Sequence, residues 1–284
     1  MPELPEVETV RRGLAPVLEG ATIRDVILNR PDLRFSFPPD FQARLRGQQI
    51  VRLSRRAKYL IATLGNGEHL IIHLGMTGRF NATGAVAGGA FHHQVNALAH
   101  THVEFSLVRD GGAVTVSYAD PRRFGFMDLV EADQLNTCRH FAKMGIEPLS
   151  DALDASSICE KFAGRKSPLK AALLDQRLIA GLGNIYVCEA LFRSRLSPRR
   201  QAGTVGPARA ERLAIAIRDV LSEAVAAGGS TLRDFAAVDG SLGYFQHRFD
   251  VYDREGEPCP VCAHAVRRMV QSGRSTYFCG QCQR

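Results

Sequence analysis

Apolar residues recur at Val7, Val10, Leu14, Val17 and Leu18, at helical spacing. The pattern predicts a helix over Glu3–Leu18, with Pro2 and Pro5 at its first turn and Gly20 at its end. Beyond it the apolar runs are short and rich in β-formers: Thr22–Leu28, Gln49–Leu53, Tyr59–Leu64, His69–Leu74, His102–Val108, Ala113–Tyr118 and Phe124–Val130. Tight-turn residues such as Gly65-Asn66-Gly67 and Gly111-Gly112 separate them, which predicts a β-sandwich or flattened barrel. Asn81–Ala99 is Gly/Ala-rich and aperiodic and reads as a mobile loop. The pattern changes again near Glu131–Ser150. After it, Ser156–Ala163, Pro168–Leu178, Ile185–Arg195 and Pro207–Ala226 carry helical spacing, and Phe249–Arg284 is a short cysteine-bearing tail. Strands first and helices afterwards make an α+β chain.

Composition narrows the class. A length of 284 residues suggests two domains, each with its own core, and 45% apolar with 23% charged residues is ordinary for a globular protein. No run approaches the ~18 apolar residues of a membrane span. The first residues lack the apolar stretch of a signal peptide, so a cytoplasmic, nucleoid-associated location is expected. Lys and Arg number 36 against 29 Asp and Glu, a net charge of +7. The positive residues are mostly arginines in clusters, including Arg11-Arg12, Arg55-Arg56, Arg122-Arg123 and Arg199-Arg200. Planar guanidinium groups suit phosphate, so the balance favours a polyanionic partner such as nucleic acid.

Seven cysteines are an odd number, and four of them form two tight pairs. Cys259-x₂-Cys262 and Cys279-x₂-Cys282 stand sixteen residues apart, the spacing of a four-cysteine zinc site. Four thiolates close a tetrahedral shell, so one structural zinc ion is expected, with no hydrolytic role. No redox cofactor is implied. Cys138, Cys159 and Cys188 read as reduced thiols. Between the knuckles, Arg267, Arg268, Gly273, Arg274 and Ser275 suggest a hairpin tip that meets phosphate.

The opening Pro2-Glu3-Leu4-Pro5-Glu6 carries a second chemistry. Removal of Met1 leaves a secondary amine on a rigid ring, next to a carboxylate. Such an amine condenses with a sugar's anomeric carbon to give an iminium ion, and Glu3 can move the protons. An unperturbed α-amine titrates near ~8, and neighbouring cations raise its neutral fraction. Proline also suits a helix start, which needs no chemistry. Further along, Arg55-Arg56-Ala57-Lys58-Tyr59-Leu60 puts a lysine at a strand entrance. His73-Leu74-Gly75-Met76-Thr77-Gly78 and Asp120-Pro121-Arg122-Arg123-Phe124-Gly125 put Met, Arg and Phe on turns. Met and Phe in turns are ordinarily core residues; beside arginines they can also fill the gap left by an extruded base. Gly181-Leu182-Gly183-Asn184-Ile185-Tyr186 allows close backbone approach to an anion, with Asn184 as a helix cap.

Taken together and in this order, these motifs resemble the formamidopyrimidine-DNA glycosylase family, over essentially the whole chain. The resemblance implies a β-sandwich domain with an N-terminal helix (residues 1–132), a linker (133–150), a helix–two-turn–helix domain (151–248) and a four-cysteine zinc finger (249–284). Double-stranded DNA containing oxidised bases or abasic sites would lie in the cleft between the domains, bound by a monomer. By matching position, Pro2 is the nucleophile, Glu3 the acid/base and Lys58 a phosphate-contacting lysine near the lesion. Met76, Arg122 and Phe124 match residues inserted into the base stack, with Arg123 beside them. His73, Asn184 and Arg274 match phosphate-binding positions, and Lys170 joins them. Glu6 and Glu189 match acidic residues lining the site, though each equally suits a helix-structural role. Asp234–Gln246 corresponds to a loop covering the flipped base.

The implied activity is excision of oxidised purines followed by strand cleavage through β,δ-elimination. Two other readings stay open: an endonuclease VIII-like enzyme for oxidised pyrimidines, and a non-catalytic zinc-containing DNA-binding regulator. The former shares Pro2, Glu3 and the lysine. The latter leaves the Pro2-Glu3 terminus without a purpose.

Overall fold

The first helix, α1, runs Leu4–Leu18 in the computed structural model, which describes residues 2–86, 89–91, 100–230 and 243–284. Glu3 has extended backbone and occupies the N-cap position, so the helix starts one residue later than its apolar spacing implies. The described residues form two compact units, one within Met1–Ala142 and Gly228–Gly243, the other within Lys143–Ala227 and Tyr244–Arg284.

In the first unit β1 (Thr22–Leu28), β7 (Thr101–Arg109), β8 (Gly112–Ala119), β5 (Arg79–Val86) and β6 (Gly89–Phe91) form one antiparallel sheet, in that order. A second antiparallel sheet is ordered β2 (Ile50–Arg56), β3 (Tyr59–Leu64), β4 (His69–His73) and β9 (Phe126–Val130). Val7, Val10 and Leu14 of α1 join Ile23, Val26, Leu53, Leu60, Ile72, Val103, Phe105 and Val116 in one core drawn from both sheets. Fully burying such a side chain contributes roughly 1.5–3 kcal/mol before the entropy cost of ordering it. A short helix, α2 (Phe41–Leu45), adds Phe41 and Leu45 to the same core.

The expected loop over Asn81–Ala99 is corrected in its first part. β5 continues to Val86, paired with β8 from Arg79↔Ala119 to Gly84↔Val114, and β6 pairs back on it. Backbone pairing with β8 supplies the order that small side chains do not signal. Residues 87–88 and 92–99 of that segment lie outside the described residues.

The second unit contains α3 (Ala155–Phe162), α4 (Leu169–Leu174), α5 (Asn184–Arg193), α6 (Pro207–Ala226) and the hairpin β10 (Arg267–Gln271) with β11 (Arg274–Phe278). Asp154 caps α3 by accepting the Ser157 N–H at 2.7 Å. The helix expected over Pro168–Leu178 stops at Leu174, because Asp175 turns the chain by accepting the Arg177 N–H at 3.0 Å. Pro207 begins α6 as its spacing predicts. Arg193 of α5 reaches both carboxylate oxygens of Glu223 on α6, at 2.7 and 2.9 Å. Among the described residues no helix is long and apolar enough to cross a membrane.

Candidate active site and nucleic-acid interface

Pro2 and Glu3 are buried at the start of α1. One oxygen of Glu6 accepts the Glu3 N–H at 2.9 Å, which satisfies a donor that a helix start leaves open. The other oxygen accepts the N–H and the hydroxyl of Ser230, at 2.8 and 3.0 Å. Gly229 has φ +79°, which strains any residue with a Cβ, and a Cβ there would lie 3.0 Å from Glu6 Oε1 and press on that carboxylate. Glu6 therefore serves the helix start and the segment entering residues 231–242. The greater part of the expected lesion-covering loop, 234–242, lies outside the described residues.

Glu8 fixes the same helix to the second sheet. Its carboxylate accepts from Arg11 at 2.9 Å and from Arg55 of β2 at 3.1 Å. Arg55 stands one residue before the end of its arm of the β2–β3 hairpin, whose two-residue turn is Ala57-Lys58. Ala57 adopts φ +52°, an uncommon conformation for a residue with a Cβ, and Arg55 braces it by donating to its carbonyl at 3.0 Å. Lys58 is thus held in a defined turn, with only 6% of its surface exposed.

His73 ends β4 opposite Tyr59 in the register. Its ring stacks on Phe126 at 5.4 Å and 11°, and Phe126 stacks in turn on His140 at 4.9 Å. Nδ1 accepts the Gly75 N–H at 3.0 Å, so the proton of the neutral ring resides on Nε2. Burial, with the positive charges of Lys58, Arg34 and His140, outweighs Asp120 and lowers the imidazole to about 4. His73 is a neutral N–H donor at physiological pH.

The turns bearing Met76 and Arg122-Arg123-Phe124 come together despite their separation in sequence. A Cβ on Gly75 would lie 2.3 Å from Gly125 N, so only glycine permits this approach. Arg122 and Phe124 are exposed, and the Arg122 guanidinium lies over the Phe124 ring at 4.8 Å. Arg123 is exposed, at φ +56°, and 4.0 Å from Asp32.

In the second unit three expected phosphate-binding residues meet at Ser275. Its carbonyl accepts from Asn184 Nδ2 and from Lys170 Nζ, each at 2.9 Å, directly beside Arg274. Gly183, not Asn184, is the N-cap of α5: Asn184 is already the first helical residue, and its side-chain amide donates to Ser275. Lys170 is 1% exposed and also donates to Thr276 Oγ1 at 2.6 Å. Arg274 is exposed and follows the Ser272-Gly273 turn, where both residues have positive φ. Arg267 and Arg268 pair with Phe278 and Tyr277 at the opposite end of the hairpin, which corrects the expectation that they share its tip.

The four cysteine Sγ atoms of Cys259, Cys262, Cys279 and Cys282 lie within 4.8 Å of one another, with Cys262 and Cys279 at 3.4 Å. Sulfurs around a tetrahedral zinc with ~2.3 Å bonds stand about 3.8 Å apart, so the cluster fits that ion. Glu189, expected as either a site-lining or a structural acid, is wholly buried. It accepts the backbone N–H groups of Asp250, Val251 and Tyr252 at 2.8, 3.1 and 2.8 Å. Burial raises its carboxyl to about 7 in spite of these bonds. Ser230 and Thr276 carry no signal in the sequence, since each acts through a partner remote in the chain, and Ser275, expected at the hairpin tip, acts through its backbone carbonyl.

Family profiles match three segments: the formamidopyrimidine-DNA glycosylase N-terminal domain at residues 1–127, the H2TH domain of the same enzymes at 144–236, and a zinc finger found in FPG and IleRS at 256–284. A formamidopyrimidine-DNA glycosylase of Methylobacterium sp. (strain 4-46) is 58% identical over 297 residues, covering 100% of this chain and 99% of the relative. The crystal structure of the MutM (Fpg) protein from Thermus thermophilus is 42% identical with a TM-score of 0.85, covering 99% of this chain and 98% of that one. Lactococcus lactis Fpg in complex with DNA containing an abasic site is 31% identical with a TM-score of 0.87, covering 100% of both chains. With these matches spanning a sandwich, a helical unit and a cysteine cluster, the chain belongs to the formamidopyrimidine-DNA glycosylase family.

Proposed function

We propose that this protein is a bifunctional DNA glycosylase and abasic-site lyase that removes oxidised purines, 8-oxoguanine and formamidopyrimidines, from duplex DNA in base excision repair. The observation that carries the reading is the buried Pro2-Glu3 pair, held at the N-cap of α1 by Glu6. With Met1 removed, the Pro2 nitrogen attacks C1′ of the damaged deoxyribose. The base leaves with the glycosidic electron pair and a proton. Glu3 protonates the ring oxygen as the C1′–O4′ bond opens, and an iminium joins Pro2 to the sugar. The iminium acidifies the C2′ proton; its loss expels the 3′ phosphate, and a second elimination expels the 5′ phosphate. Water then releases Pro2.

The target base must leave the duplex first, at a cost of roughly a few kcal/mol. Met76, Arg122 and Phe124 fill the gap, while Lys58, Arg123, His73, Asn184 and Arg274 hold the strand by its phosphates. Lys170 supports that hold from beneath, through the Ser275 carbonyl. Residues 1–132 act as the catalytic domain, 133–150 as a linker, 151–248 as the helix–two-turn–helix domain and 249–284 as the finger. A zinc ion held by Cys259, Cys262, Cys279 and Cys282 supplies folding energy to the finger. The protein acts as a monomer in the cytoplasm, at the chromosome.

Borohydride trapping tests the reading. Duplexes carrying 8-oxoguanine opposite cytosine, or thymine glycol, are incubated with the purified protein and reductant. A covalent adduct with the 8-oxoguanine duplex, blocked at residue 2 on N-terminal sequencing, is expected. A preference for thymine glycol would place the enzyme with the pyrimidine branch, and no adduct with either would end the catalytic reading.

A further inference from the structure

The two turns that carry Met76 and Arg122–Phe124 are joined by more than glycine contacts. Asp120 is completely buried between them. Its Oδ1 accepts the Thr77 hydroxyl at 2.5 Å, and its Oδ2 accepts the Gly125 N–H at 2.8 Å. Thr77 Oγ1 also accepts the Arg122 N–H at 3.3 Å, so this hydroxyl holds the start of the second turn directly and reaches its far end, at Gly125, through the other oxygen of Asp120. The Asp120 carbonyl accepts the Arg123 N–H at 3.1 Å and bonds His102 Nε2 at 2.9 Å.

Beneath both turns lies the hydroxyl of Tyr118, 3.4 Å from Asp120 Oδ2. A Cβ on Gly78 would lie 2.4 Å from that hydroxyl, and a Cβ on Gly125 only 1.9 Å. The floor is filled, and neither turn can settle independently of the other. A carboxylate suits the junction because it accepts at both oxygens. An amide in its place would turn an NH₂ group toward a donor, leaving one bond broken. A buried carboxylate left without such bonds would be costly, so the arrangement is self-enforcing.

We propose that Thr77 and Asp120 are positioning residues that fasten the two turns into one rigid wedge, so that Met76 enters the stack together with Arg122 and Phe124. The inference rests on the reading that these three residues replace an everted base. A wedge ordered in advance fills the gap without having to order each part during insertion. Its loss therefore affects base eversion and spares the chemistry at Pro2.

The test compares two reactions of the full-length enzyme. One is single-turnover excision from an 8-oxoguanine:cytosine duplex, which needs eversion. The other is cleavage of a preformed abasic site in single-stranded DNA, which has no paired stack to open. Thr77→Val should lower the ratio of the first rate to the second about tenfold, the order expected for a lost bond to a charged group. Thr77→Ala, which only removes atoms, should do the same, and Thr77→Ser, which keeps the hydroxyl, should restore the ratio to within about twofold. If Val and Ala slow both reactions equally, or neither, the proposal is overturned, since general destabilisation acts on both. Met76→Ala separates the two levels. A normal ratio there removes the wedge reading itself, whereas a lowered ratio there with a normal one in Thr77→Val removes the latch alone.

Discussion

Ser230 donates both its backbone N–H and its hydroxyl to one oxygen of Glu6. The remaining Glu6 oxygen holds the Glu3 N–H, so one carboxylate spans the start of the chain and the entry to residues 231–242. Glu6→Gln keeps the shape but presents an NH₂ group to one of those donors. Bonds to charged groups contribute about 1.5–3 kcal/mol, so a loss of tenfold or more in the rate of borohydride-trapped adduct is expected, on the order of that energy. Ser230→Ala leaves the backbone N–H bond on the same Glu6 oxygen, so that oxygen keeps a partner and a smaller loss, about two- to fivefold, is expected. A wild-type rate in Glu6→Gln would show that the carboxylate holds nothing the reaction needs.

His73 should stay neutral far below the ordinary histidine range, because burial and neighbouring cations lower it to about 4. Long-range proton–nitrogen NMR at pH 5.5 is expected to find Nδ1 bare and Nε2 protonated. The sign for stability follows. Below pH ~6.5 the unfolded chain takes up a proton here that the folded chain refuses, so stability contributed by this residue falls as pH drops toward 4. A titration centred near 6.5 would contradict the stacked, desolvated setting described above.

Glu189 titrates in the opposite sense. Its folded carboxyl is raised to about 7, so between the ordinary glutamate range and 7 the folded state retains a proton that the unfolded state gives up. Its contribution to stability therefore declines as pH rises toward 7 and is flat beyond. Glu189→Gln should flatten that part of the pH–stability curve. It should also destabilise the protein by about 1–3 kcal/mol, because one amide oxygen cannot serve three N–H groups. Thermal melts across pH 5 to 8 check both effects, and an unchanged melt at every pH would remove the staple.

Features whose meaning is local were legible before any fold was known. Two cysteine pairs at knuckle spacing, Pro207 at the start of a long amphipathic helix, and a proline followed by glutamate all carry their physics within a few residues. Ser230 is silent because its partner lies at Glu6, at the far end of the same unit. Lys170 is singled out by the family resemblance alone, and nothing local in the sequence tells that Thr276 and the Ser275 carbonyl accept from its ammonium. Asp120 reads as a turn former before proline, and only the contact between two turns reveals its second oxygen at work. β5 stays hidden for another reason: Gly and Ala have little β preference, and β8 supplies the pairing that fixes them.

Helix α5 takes hold of the C-terminal module twice, through Asn184 at the hairpin and through Glu189 at the chain ahead of the first knuckle. Free-standing modules of this kind collapse without their ion. Here the helix moors both ends by bonds that owe nothing to sulfur. The tip bearing Arg274 is thus positioned by the helix as well as by the cysteine cluster.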